Sequence, residues 1–97
     1  MNPFPVNEET LALARRLIWF EPPEQALASP VRLMAYLMAY GTAEDIAAAK
    51  RYAGEADFLE ALDKAPPGII DARSWSYWNT MAGRYPPPPL PVRKFPE

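Results

Sequence analysis

Proline placement constrains this chain more than any other feature of its sequence. Thirteen of the 97 residues are proline, and they fall in groups. Inside a helix a proline removes a backbone hydrogen bond and clashes with the preceding turn; in a central strand it removes a ladder bond. The pairs Pro22-Pro23 and Pro66-Pro67 therefore break the chain into segments, while Pro30 suits the first position of a helix. The run Tyr85-Pro86-Pro87-Pro88-Pro89-Leu90-Pro91 admits neither helix nor central strand and is expected to form an extended polyproline II tail.

Between these breaks the sequence predicts five helices. The first follows Asn7, an N-cap, with Glu8 and Glu9 at the positive end of the helix dipole. Leu11, Ala14 and Ile18 form one apolar stripe and Leu13, Leu17 and Phe20 a second, with Arg15 and Arg16 outward; Pro23 to Ala28 allow one further turn. Ser29 and Pro30 start a helix through Tyr40 in which Arg32 alone is charged, and Gly41 is expected to close it in a left-handed conformation. Thr42-Ala43-Glu44-Asp45 then reads as a capping box opening a helix with the narrow apolar face Ile46, Ala49 and Ala53, terminated by Gly54. Residues 56–65 turn Phe58, Leu59 and Leu62 inward, and Asp71 caps a last helix over 72–82, closed by Gly83. No segment alternates as a strand does. The expected fold class is all-α, a compact bundle of about five short helices over residues 1–84, with 85–97 as a proline-rich tail packed on the domain or on a partner.

The chain contains no cysteine and no histidine. Thiol nucleophiles, disulfides, imidazole bases and Cys/His zinc sites are thereby excluded. No glycine-rich phosphate loop, nucleophile elbow or metal motif is present, so no enzyme, cofactor, metal or small-molecule substrate is expected. Glu44, Asp45, Asp57, Glu60 and Asp63 are the carboxylates that a divalent metal or an acid–base pair would need, but helix capping and solvated helix faces account for them. No secretion signal opens the sequence, and the apolar run 33–40 is far short of the ~20 residues a membrane span needs, so a soluble cytoplasmic protein is expected. Residues 1–64 carry six basic against ten acidic residues, and 65–97 four against two. That balance does not suit a general nucleic-acid binder, whose affinity rests on many phosphate contacts.

Three segments suggest binding. The joint Tyr40-Gly41-Thr42 resembles a helix-turn-helix over residues 31–53, but Ala43, Glu44 and Asp45 occupy the positions that would read bases, and Lys50 and Arg51 lie at the far end. The run Arg73-Ser74-Trp75-Ser76-Tyr77-Trp78 offers aromatic groups; core packing is the simpler reading of Trp75 and Trp78, and partner binding the alternative. Pro88-Pro89-Leu90-Pro91-Val92-Arg93 satisfies a PxxPxR docking pattern. Two other readings of this tail are that it lies against the chain's own tryptophans and tyrosines, or that it straps across a second subunit.

Taken together, Tyr40-Gly41-Thr42-x-Glu44-Asp45-Ile46, Ala65-Pro66-Pro67-Gly68-Ile69, Arg73-Ser74-Trp75-x-Tyr77-Trp78 and the Pro-Pro-Leu-Pro ending resemble a group of small bacterial all-helical proteins. These are often encoded beside nucleotidyltransferase toxins of the AbiEii/AbiGii type. The resemblance spans roughly residues 31–93 and implies an antitoxin-like or accessory role, with no catalytic residues to carry over. The expectation is a non-enzymatic protein-interaction domain whose anchors are Tyr77, Trp78, Tyr85, Leu90 and Arg93; a DNA-binding regulator using 31–53 is the alternative. A homodimer is also expected, because the helix over 31–40 exposes more apolar surface than a five-helix monomer readily covers.

Overall fold

Six helices follow one another in the computed structural model, which describes residues 1–92: α1 Glu8–Leu17, α2 Pro23–Leu27, α3 Pro30–Tyr40, α4 Ala43–Lys50, α5 Glu55–Lys64 and α6 Ala72–Met81. Among the described residues there is no strand, and no helix is long and apolar enough to cross a membrane. The sixth helix is the short α2, where Pro23 supplies a preset φ at the start and Ala26 and Leu27 are buried. Arg93, in the expected tail, lies outside the described residues.

Local chemistry fixes the starts of the helices. The Asn7 side chain accepts from Thr10 N–H at 2.9 Å while Thr10 Oγ1 accepts from Asn7 N–H at 3.0 Å, a reciprocal box that satisfies two otherwise unpaired donors. Thr42 and Asp45 repeat the arrangement at α4, each bond 3.1 Å. Asp71 accepts from Ser74 N–H at 3.2 Å at the start of α6. Ser29, by contrast, makes no capping bond.

Two glycines act otherwise than expected. Gly41 has φ −67° and ψ 144°, an extended backbone open to any residue, so left-handedness is not its purpose. Its reason is space: a Cβ there would lie 2.6 Å from the Leu37 carbonyl oxygen and 2.9 Å from Leu37 Cδ1. Gly54 does not end α4, which stops at Lys50; it stands before α5, where the Asp57 carboxylate accepts its N–H at 2.9 Å. Gly83 is left-handed at φ 82° and closes α6 as expected. Gly83 N–H bonds Thr80 O at 3.0 Å and Arg84 N–H bonds Asn79 O at 2.8 Å, the paired bonds of a Schellman ending.

The core forms around α3, which packs against each of the other five helices. Leu33, Met34, Ala35, Leu37 and Met38 are buried against Leu13, Leu17 and Ile18 of α1 and its end, Leu27 of α2, and Phe58, Ala61 and Leu62 of α5. Small residues at Ala14, Ala26, Ala49, Ala53 and Ala61 let the short helices approach closely around it. The apolar faces of α3 are thus covered within one chain, which removes the reason given above for a homodimer; Tyr40 alone on this helix is mostly exposed. Phe20 also departs from expectation, pointing outward because α1 ends at Leu17 and its stripe with it.

Candidate functional site

The amphipathic helix α6 places its aromatic residues in three environments. Trp75 is buried, and its indole N–H donates to the Pro88 carbonyl at 2.7 Å. Trp78 is half-buried; its N–H donates to the Met38 carbonyl at 3.0 Å, and its ring stacks on Phe58 with centroids 5.4 Å apart. Tyr77 is exposed and meets the Trp78 edge at 5.3 Å, nearly perpendicular to it. One turn on, Met81 is 67% exposed beside the same tryptophan.

Trp78 and Met81 line a cleft of about 250 Å³ between α5 and α6. Phe58, Leu59, Leu62 and Trp78 provide its apolar lining, and Lys50 and Glu55 stand at its polar rim. Trp78 is held by both a hydrogen bond and a stacked ring, so its orientation is fixed before anything binds. A preset aromatic group loses little rotamer freedom on association.

The structure brings Tyr77 and Trp78 together, while Tyr85 and Leu90 have different surroundings and Arg93 lies outside the described residues. Tyr85 is 81% exposed with no aromatic neighbour among the described contacts. Leu90 turns inward and packs on the chain's own core. The core reading of the tryptophans holds fully for Trp75 and in part for Trp78.

A second aromatic surface escaped the sequence reading. Trp19, Phe20, Tyr36 and Tyr40 form a ladder with successive centroids 5.6, 5.9 and 6.1 Å apart. Trp19 is 80% exposed. Two ion pairs flank the ladder. Arg32 grips Glu21 through two bonds of 2.9 Å and lies over the Tyr36 ring, and Arg16 reaches Asp45 at 2.7 Å. The i, i+4 spacing of Tyr36 and Tyr40 was the available signal, since it stacks two aromatic groups on one helix face; membership of an apolar helix masked it.

Four of the five candidate carboxylates, Asp45, Asp57, Glu60 and Asp63, have structural partners. Asp45 is buried; burial pushes its pKa up, but the Thr42 hydrogen bonds and the Arg16 guanidinium outweigh this and hold it below its ordinary value. Hydrogen bonds from Arg51 and Tyr52 lower Glu9 to about 2. Glu60 is lowered first by its bond to the Met1 amine, and Asp63 by its bond to Arg84. Asp57 caps α5. Among the described residues no three carboxylates gather as a metal site would require. At the start of α4, the end a helix-turn-helix would present to DNA, Glu44 is exposed and Asp45 is engaged with Thr42 and Arg16, while Arg51 is paired with Glu9.

No family model matches the chain, and neither the curated proteins nor the solved structures contain a match.

Proposed function

We propose that this chain is a non-enzymatic protein-interaction domain that binds its partner through the α5–α6 cleft. The observation that carries the reading is the fixed Trp78, flanked by exposed Tyr77 and Met81 above an apolar lining. Tryptophan, tyrosine and methionine are enriched at interface centres, and a polar rim such as Lys50 and Glu55 is the usual surround. A nucleic acid fits less well, because among the described residues the cleft has Lys50 as its one lining cation and Glu55 beside it.

The partner we propose is a nucleotidyltransferase-type toxin, toward which the domain acts as an antitoxin-like or accessory subunit. Support comes from the resemblance in residues 31–93 and from an interaction surface in a chain that lacks thiol and imidazole groups. The test is co-expression of the full chain with a nucleotidyltransferase toxin of the AbiEii/AbiGii type. A complex that survives purification, and relief of growth arrest, is the expected result. Absence of both overturns the assignment of this partner.

A further inference from the structure

The proline-rich segment is seated on the domain as a ligand sits on a receptor. Among the described residues, 85–92 make no backbone–backbone hydrogen bond, and five of the eight are prolines without an N–H. Two attachments hold the segment: the Trp75 indole bond to the Pro88 carbonyl at 2.7 Å, and Leu90 packed on the core. After the exposed Tyr85, burial recurs every third residue, with Pro86, Pro89 and Val92 exposed and the pairs Pro87-Pro88 and Leu90-Pro91 half-buried. Three residues per turn is the period of polyproline II, and aromatic grooves read such ligands by this means. Because proline is already restricted in the unfolded chain, ordering the segment costs little, and its release sacrifices few bonds.

The turn that directs the segment back onto Trp75 depends on Gly83. Its φ of 82° belongs to the Schellman ending of α6 and is strained for any residue with a Cβ. When that turn opens, the segment leaves the helix in a different direction while its contact residues stay intact.

We infer that the Trp75 surface is a proline-segment receptor, and that its partner in trans is the 85–92 segment of a second copy of this chain. Two copies exchange segments reciprocally, each Trp75 donating to the other copy's Pro88. The contacts are the same in monomer and dimer, so the two states differ at the hinge and in the concentration needed for encounter. At low concentration the tethered segment wins; a residue that resists left-handed backbone at position 83 favours exchange.

The test compares the wild-type full chain with Gly83→Val by light scattering over a concentration series. The variant is expected at twice the 10.9 kDa chain mass where wild type is still monomeric, its dimer dissociation constant lower by at least about tenfold. A variant monomeric throughout the series overturns the inference, whether its segment is bound or free. Should Gly83→Val not fold, the wild-type chain unfolded and refolded at millimolar concentration decides. A mixture of isotope-labelled and unlabelled copies must then give a dimer with contacts between one copy's Trp75 indole and the other's Pro88. A refolded sample that is all monomer, or a dimer without those contacts, overturns it equally.

Discussion

The Trp75 indole N–H reaches the Pro88 carbonyl thirteen residues along the chain, at 2.7 Å, and this is the polar tie between the helical body and its proline-rich end. Indole is the natural donor here, since proline carbonyls are strong acceptors and the segment has few donors to offer in return. Trp75→Phe keeps an aromatic ring and deletes the donor. The expected loss is about 1–2 kcal/mol, combining one hydrogen bond with the smaller ring. In a thermal melt that is roughly 4–8 °C per kcal/mol for a chain of this size; an unchanged midpoint would show that the tie contributes nothing.

Asp45 joins two roles, capping α4 and pairing with Arg16 of α1. Its pKa is lowered on folding, so its contribution is complete above the ordinary carboxylate value of 3.8 and is lost as pH falls through the folded value beneath it. Asp45→Asn is expected to cost about 1–2 kcal/mol at pH 7, discounted because Arg16 is half in solvent. The difference from wild type should shrink below pH 4. Chemical denaturation at pH 7 and pH 3 checks both parts, and a gap that widens in acid would contradict the sign.

The glycines separate by space rather than by conformation. Gly41→Ala places a methyl 2.6 Å from the Leu37 carbonyl oxygen, a backbone atom that cannot swing away, and should cost about 1–3 kcal/mol. Gly54 has open space around its Cβ direction, and Gly54→Ser adds a favoured N-cap residue to α5. That variant should be neutral or slightly stabilised. Equal effects at the two positions in denaturant titrations would refute the distinction.

Of the three tryptophans, Trp19 is 80% exposed, Trp75 is 5% exposed and Trp78 is half-buried. Acrylamide should therefore quench a component of the fluorescence that disappears in Trp19→Phe, with stability changed by no more than about 0.5 kcal/mol. Quenching that persists undiminished in Trp19→Phe would place the accessible indole on α6.

Much of this architecture was legible where a short-range rule decides the backbone. Asn7, Thr42 and Asp71 announced their helices because a side-chain acceptor three residues from a free N–H is a local device. The prolines marked the breaks for the same reason. What escaped depends on tertiary neighbours. Gly41 is required by the Leu37 side chain and carbonyl one turn back, and α3 appeared to need a partner chain because the number of helices around it was not visible from its own pattern. The aromatic group of the candidate site was legible at Tyr77 and Trp78 and not at the Trp19–Tyr40 ladder, which is assembled from the end of α1 and one face of α3. Leu90 read as an anchor for others because its spacing within the proline run does not reveal which body it faces.

The most direct test of the interaction assignment is calorimetric titration of the proposed nucleotidyltransferase partner with wild-type chain and with the double variant Tyr77→Ala/Met81→Ser. Both side chains are exposed, so the variant should keep its melting temperature. The variant is expected to lose about 2 kcal/mol or more in binding, roughly thirtyfold in the dissociation constant. Affinity within about twofold of wild type, with both proteins folded, would contradict it.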